Sequence, residues 1–257
     1  MSKLILESLS NDKLKVFHDI LPALKSGVSL QRRMTYQRSI HLRSKLRSVL
    51  ECCYKLKSFR QIGVLGGGTA LSLQIGHRIS YDFDIFTYKK LEPSLWRRAR
   101  DTFGKGTLRL LDLEDQLNLS TPESVYVTFF YDDYKPLFDP IKTDYLDLLD
   151  IKDIAANKAF TIGRRPKWRD YVDLYFLLKK DYVSFENLIL MSKKKFGAGF
   201  SEKLFFEQLI YWGDIEDYGI EYLAENIEPQ VIKDFLELKV ENFTNKFLSV
   251  ADLKNRF

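Results

Sequence analysis

Gly66-Gly67-Gly68-Thr69 and Asp82-Phe83-Asp84 are the residues whose types and spacing most suit chemistry in this chain. A glycine turn lets backbone N–H groups approach phosphate oxygens closely, and a helix beginning there adds a field favourable to anions. Two carboxylates two residues apart on a strand point to the same face. Side by side they repel, and a divalent cation between them relieves the repulsion. Hard oxygen ligands of this kind suit Mg2+ bridging to substrate phosphates. Together the two features read as nucleotide handling. Taken singly they say less: a glycine run is ordinarily a turn, and Asp-x-Asp a solvated strand edge. Two familiar nucleotide loops are disfavoured. No Gly-Lys-Ser/Thr follows the glycines, and Leu71 stands where the dinucleotide fingerprint has its third glycine.

A second set follows later in the chain. Asp153, Lys158 and Arg165 fall on or just past one expected helix, and Asp170 and Asp173 open the next. A lysine neutralises phosphate charge in a phosphoryl-transfer transition state, and a nearby arginine does likewise. The alternative is a set of salt bridges between helices, with acids favoured at a helix N-terminus by its dipole. The residues alone leave both open.

A third feature is charge. Between Lys25 and Arg60 stand ten basic residues, Arg38, Arg43, Lys45 and Arg47 among them, against the single acid Glu51. Over residues 36–58 they alternate with apolar residues at helical spacing, which predicts a basic amphipathic helix. A basic helix face suits an RNA backbone, where each phosphate neutralised adds salt-dependent affinity; it is equally the pattern of a solvated helix. Tyr36, His41, Tyr54 and Phe59 are interleaved, able to stack on bases or to pack in a core.

The elements that must position these residues read as follows. Ile62 to Leu65 is a buried strand running into the glycines. Thr69 to Ile75 is a helix ended by Gly76. Asp82 to Phe86 is a strand with one face toward a site. Trp96 to Phe103 is helical, and Leu108 to Leu113 and Val125 to Tyr131 are further strands. After about residue 148 the pattern turns helical: Asp150 to Ile162, Tyr171 to Leu178, Phe185 to Lys195, Glu202 to Tyr211 and Pro229 to Phe247, with a loop at Gly197-Ala198-Gly199. Residues 1–25 read as a short helix and a break at Pro22. The expected fold is α+β: a small mixed β-sheet core flanked by helices over residues 1–148, then a helical half over 149–257 that completes the site.

Bulk properties narrow the classes. The chain has 257 residues, 45% hydrophobic and 29% charged, with 40 basic and 35 acidic residues and a formal charge of +5, which is ordinary for a globular protein. No apolar run approaches the ~20 residues that span a bilayer, so no membrane association is expected. The N-terminus has no secretory pattern. The two cysteines, Cys52 and Cys53, are adjacent, a geometry that disfavours a bridge, and with three histidines they make no zinc cluster. A cytoplasmic location follows.

At this level the sequence resembles a known family. Gly67-Gly68-Thr69-Ala70-Leu71, a short helix, then Gly76-His77-Arg78-x-Ser80-x-Asp82-x-Asp84-x-Phe86 is similar to the AbiEii/AbiGii toxin family of nucleotidyltransferases, in the DNA polymerase β-like superfamily, to which the MenT toxins are related. Asp153-Ile-Ala-Ala-Asn-Lys158, Arg164-Arg165 and Arg169-Asp170-x-x-Asp173-Leu174 resemble the family's second motif, and the likeness runs over residues 60 to 220. The resemblance implies roles. Gly67, Gly68 and Thr69 match the phosphate-contacting turn, and Ser80 a small hydroxyl beside the acidic pair. Asp82 and Asp84 match the metal-binding carboxylates, Lys158 a lysine on the NTP phosphates helped by Arg165, and Asp173 or Asp170 an acid needed for activity. The wider superfamily places a third carboxylate on a later strand. Here Val125 to Tyr131 carries none; Asp132 and Asp133 sit at its end and Asp139 lies beyond.

The expectation is therefore an Mg2+-dependent transfer of a nucleotide from an NTP to an RNA acceptor, the tRNA 3′ end by family resemblance. The protein would act as the toxin of a toxin–antitoxin or phage-defence pair whose antitoxin need form no stable complex with it. The alternatives are a protein hydroxyl or small molecule as acceptor, or a catalytically silent RNA-binding relative.

Overall fold

A three-residue strand, β1 (Val64–Gly66), runs directly into a helix, α1 (Gly67–Ile75), with no intervening loop. The helix starts two residues earlier than Thr69, so Gly67 and Gly68 form its first turn. Gly76 ends it in the left-handed conformation, φ 62°, and its N–H donates to the Ser72 carbonyl. Glycine adopts that conformation without steric cost. The computed structural model describes residues 51–223 and 225–254.

The remaining strands are β2 (Phe83–Thr87), β3 (Leu108–Asp112), β4 (Gln116–Ser120) and β5 (Tyr126–Tyr131), with helix α2 (Leu95–Phe103) between β2 and β3. They form one sheet in the order β1-β2-β5-β4-β3. β2 and β5 are parallel, and every other pairing is antiparallel. A parallel pair needs a crossover, and α2 with the β3–β4 hairpin supplies it. The hairpin's second strand, β4, was not expected from sequence. Its Gln-Leu-Asn-Leu-Ser alternation is short and follows β3 after only three residues.

One face of the sheet is core. Phe83, Ile85, Leu117, Leu119, Val127 and Phe129 alternate inward and are buried. The described end of the basic stretch, residues 51–59, is helical. It covers that face through Phe59, whose ring lies 5.0 Å from Phe129 and 5.8 Å from Phe103. Phe59 is thus a core residue, its burial contributing about 1.5–3 kcal/mol, and no base reaches it. Cys52 and Cys53 are buried on the same element as free thiols. The opposite face carries Asp84, Phe86, Thr128, Phe130, Gln116 and Asn118, all half-buried.

The chain divides into two compact units. One runs to Asp150 and takes in residues 221–225; the other comprises Ile151–Ile220 and the chain from Asn226 on. The second unit is helical: α3 (Ile151–Ile162), α4 (Trp168–Lys179), α5 (Phe185–Phe196), α6 (Glu202–Leu209) and α7 (Pro229–Lys254). Ser184 and Ser201 cap α5 and α6 by accepting from the N–H groups of Asn187 and Leu204, each cap worth about 1 kcal/mol. Phe185, Phe205, Phe206 and Phe243 pack ring against ring between α5, α6 and α7. Among the described residues no helix is long and apolar enough to cross a membrane.

Candidate active site

The glycine turn and the acidic pair meet because β1 and β2 are antiparallel neighbours, in a register that sets Gly66 opposite Asp84. The Asp84 carboxylate leans across the ladder onto the first residue of α1. A Cβ added to Gly67, whose φ is +66°, would stand 2.2 Å from Asp84 Oδ2. At Gly68 an added Cβ would stand 2.5 Å from Arg78 Nη2 and 3.1 Å from Ser80 Oγ. The two glycines therefore make room for a carboxylate, a guanidinium and a hydroxyl, all gathered at a helix N-terminus. A negative charge is favoured there by about 0.3–1 kcal/mol.

Arg78 has no role in the sequence reading beyond its place in the motif, and the structure makes it central. It is 4% exposed, and its Nη1 donates to the Ile79 carbonyl at 3.0 Å. The only sequence signal is its position two residues after the helix-ending Gly76, in the short span leading to the acids.

Thr69 and Asp82 are tied together: the buried Thr69 hydroxyl donates to the Asp82 carbonyl at 2.5 Å. Thr69 thereby fixes the chain where it enters β2, with its oxygen turned to that carbonyl. Asp82 immediately precedes β2 and Asp84 lies within it; both are half-buried. The loop between helix and acids is held from outside. Ile79 N–H donates to the Glu221 carbonyl at 2.8 Å, Leu223 N–H to the His77 carbonyl at 3.1 Å, and Arg78 pairs antiparallel with Tyr222. The Tyr81 hydroxyl donates to the Glu221 carboxylate. Burial, then that hydrogen bond and the Glu221 charge, push the Tyr81 phenol above its ordinary range. The imidazole of His77 is buried.

Among the described residues no third acid is set on the strands beside the pair. The neighbour of Asp84 on β5 is Thr128, and the neighbour of Thr128 on β4 is Asn118. Asp132 lies four residues beyond Thr128, roughly 13 Å along the chain, where its carboxylate accepts from the Tyr134 N–H at 2.9 Å. Among the described residues no group of three or more His, Cys, Asp or Glu is placed to hold a metal ion. Two half-buried carboxylates with hard oxygens fit Mg2+ even so, because this ion is commonly held by one or two carboxylates with substrate phosphates and water completing its shell.

The second motif is gathered within the helical unit. Lys158 on α3 reaches two fully buried acids on α4, with Nζ 2.5 Å from Asp170 Oδ1 and 2.7 Å from Asp173 Oδ2. Arg165 approaches the other Asp170 oxygen at 3.6 Å. Lys158 and Arg165 thus set positive charge against these two buried anions. Asp153, expected in the same set, pairs with Lys195 of α5 at 2.7 Å, both side chains fully buried. The interhelical salt-bridge reading thus describes the geometry of this unit, and Lys158 is a lysine held in place by carboxylates.

Arg38, Arg43, Lys45 and Arg47, expected on RNA, lie outside the described residues, as do Tyr36 and His41. The described end of that stretch is engaged elsewhere: Lys55 pairs with Glu123 at 3.2 Å and Arg60 with Asp147 at 3.2 Å.

A mixed five-stranded sheet with a strand–glycine–helix turn facing Asp-x-Asp is a nucleotidyltransferase fold. MenT4, a nucleotidyltransferase toxin from Mycobacterium tuberculosis, shares it with a TM-score of 0.51 at 13% identity, over 91% of this chain and 89% of its own. JHP933 from Helicobacter pylori aligns more loosely, with a TM-score of 0.45 at 16% identity over 85% of this chain. In sequence the chain is 30% identical to the uncharacterized protein aq_aa25 of Aquifex aeolicus over 183 residues, 70% of this chain and 86% of that protein, and it belongs to the same family. No protein-family model matches the chain.

Proposed function

We propose that the chain is a divalent-metal-dependent nucleotidyltransferase that moves a nucleotide from an NTP to a nucleic-acid acceptor. The observation that carries the reading is the lodging of Asp84 against Gly67 at the start of α1, with Asp82 tied in beside it by Thr69. That arrangement sets acidic oxygens and the first backbone N–H groups of a helix within reach of one triphosphate. Its support is chemical: a helix N-terminus and a buried guanidinium attract phosphate, and a carboxylate pair attracts the cation that accompanies it.

Asp82 and Asp84 would hold Mg2+, which when bound supplies neutralisation of triphosphate charge. Gly67 and Gly68 leave the helix start open, so that phosphate oxygens approach the backbone. Arg78, beside Gly68, adds a fixed positive charge, and positioning with electrostatic stabilisation is most of what phosphoryl transfer asks of a protein. Ser80 lines the same turn. Lys158 is a buried cation of the helical unit, fixed by Asp170 and Asp173 with Arg165 alongside. The phosphate role that family resemblance implies for it belongs to this proposal.

The acceptor proposed is RNA, the tRNA 3′ end by resemblance to the toxin family, with the basic stretch containing Arg38, Arg43, Lys45 and Arg47 as its contact. The biological role proposed is that of a cytoplasmic toxin, neutralised by an antitoxin without a required stable complex. Incubation with each labelled NTP, Mg2+ and total tRNA tests this directly. Label on RNA is the expected result, and Asp82→Ala abolishes it. Label on protein instead would move the acceptor to a protein hydroxyl. Calorimetry showing no NTP binding, with or without Mg2+, would leave a silent RNA-binding module.

A further inference from the structure

The face of the sheet that carries Asp84 continues across two more strands. Register aligns Asp84 on β2, Thr128 on β5 and Asn118 on β4 in one row. Strand spacing sets Thr128 about 5 Å and Asn118 about 10 Å from Asp84, on the side away from β1. All three are half-buried. Gln116 Nε2 donates to Asn118 Oδ1 at 2.9 Å, which orients the Asn118 amide with its nitrogen as the outward donor. Among the described residues neither that nitrogen nor the Thr128 hydroxyl has a hydrogen-bond partner. Two residues before Thr128 on the same face, Tyr126 is 55% exposed. Phe86 and Phe130, edge to face at 6.0 Å, close the other end of the row.

In-line transfer gives this row a direction. The attacking oxygen and the leaving group lie on opposite sides of the phosphorus. The leaving pyrophosphate belongs at the glycine turn, which is on the β1 side of Asp84. The attacking hydroxyl must then come from the β5 side, over Thr128 and Asn118. Beyond Asp84 the row bears no carboxylate, so nothing on the β5 and β4 side repels an incoming phosphodiester. It offers a hydroxyl and an amide, which suit the hydroxyls of a sugar, and an exposed ring, which suits stacking of a base.

We infer that Thr128, Asn118 and Tyr126 form the acceptor subsite, taking the terminal nucleotide of a single-stranded RNA: Thr128 and Asn118 bind its ribose hydroxyls and Tyr126 stacks its base. This rests on the nucleotidyltransferase reading and specifies its acceptor. In the reaction the terminal hydroxyl oxygen bonds to the α-phosphorus as the bond from that phosphorus to the bridging oxygen breaks. Pyrophosphate leaves with the electron pair, and the hydroxyl proton passes to solvent.

The test compares the full-length protein with Thr128→Val, Asn118→Ala and Tyr126→Ala, each checked by thermal melting. The probe is a short single-stranded RNA with a fluorescent 5′ end, prepared with a normal or a 2′-deoxy terminal nucleotide. Each variant should raise the KM for RNA about 3- to 10-fold, the worth of one hydrogen bond or part of a stack, while the KM for NTP stays within about twofold. RNA affinity measured by anisotropy, without NTP or metal, should fall by a similar factor. The 2′-deoxy end should weaken binding to the wild type and add nothing further to the deficit of at least one of Thr128→Val and Asn118→Ala. Folded variants whose RNA KM and RNA affinity match wild type would overturn the inference while leaving nucleotidyl transfer standing. Absence of NTP binding and of transfer in the wild type would instead overturn the function. The anisotropy comparison then still decides whether this row binds RNA.

Discussion

The carboxylate of Asp84 occupies the place where Gly67 would carry a side chain: a Cβ there would lie 2.2 Å from Asp84 Oδ2. The acid and the glycine are thus one unit, each requiring the other. Gly67→Ala should displace the carboxylate and place alanine at a positive φ, costing about 1–2 kcal/mol from backbone strain alone. Transfer should fall by at least 100-fold, as for Asp84→Asn, while the protein remains folded. A Gly67→Ala protein with wild-type kcat and KM would show that the contact does not matter to the site.

Lys158 gives a prediction of a different kind. Removing one partner of a buried ion pair strands the other, at a cost of about 3–5 kcal/mol. Lys158→Met should therefore lower the chemical-denaturation midpoint sharply, because it takes from the buried Asp170 and Asp173 the ammonium that both contact. The triple variant Lys158→Met/Asp170→Asn/Asp173→Asn should recover most of that stability. If Lys158 also serves phosphate, the recovered fold will still bind NTP weakly. Full NTP affinity in the triple variant would make the lysine purely architectural. Lys195→Met, which removes the ammonium paired with the fully buried Asp153, is the control: stability should fall, with NTP affinity of the folded fraction unchanged.

Asp147 carries a pH dependence. Burial raises its carboxyl pKa, but hydrogen bonds from Lys142 and the Thr143 N–H, with the charges of Lys142 and Arg60, outweigh burial and hold it below the usual carboxylate range. A depressed folded pKa means stability that is present above the unfolded value of about 3.9 and is lost as the pH falls through the folded one. Lys142 and Arg60 are partly exposed, so the contribution is modest, about 1 kcal/mol. Asp147→Asn should lower the melting temperature at pH 7, and the difference from wild type should shrink below about pH 4. A constant difference from pH 7 to pH 3 would exclude the charge as its cause.

The cysteines should be silent. Burial pushes both thiols up, Cys53 to about 12, so almost no thiolate forms at pH 8. A thiol reagent at that pH should label neither in the native protein and both after unfolding. Rapid native labelling would mean that residues 51–59 open readily from the sheet.

Much of the fold was legible because periodicity reports burial. The period-two alternation of Phe83, Ile85, Val127 and Phe129 and the run of amphipathic segments after Asp150 each foretold an element of the right type. Misses came where local pattern is weakest. β4 is five residues beside a three-residue turn. Gly67 and Gly68 read as a loop because glycine disfavours helix interiors, yet a helix's first turn tolerates them when close neighbours demand the space. Asp-x-Asp and the glycines were legible as partners through their spacing. The roles of Arg78 and Thr128 were not: one depends on closeness to Gly68, with only its place after Gly76 as a signal, and the other on strand register, which leaves no trace in residue order. Lys158, Asp170 and Asp173 were correctly grouped, but only packing reveals that both acids are fully buried against the lysine.

The pairing of His77, Arg78 and Ile79 with residues 221–223 joins parts of the chain about 140 positions apart. Chains emerge from the ribosome N-terminus first, and early units begin to fold as they appear. The sheet, α1 and both acids are all made before the segment that clips the loop between them. A growing chain therefore carries this centre unfinished until residues 221–223 have been made, and the loop bearing Arg78 is secured only then.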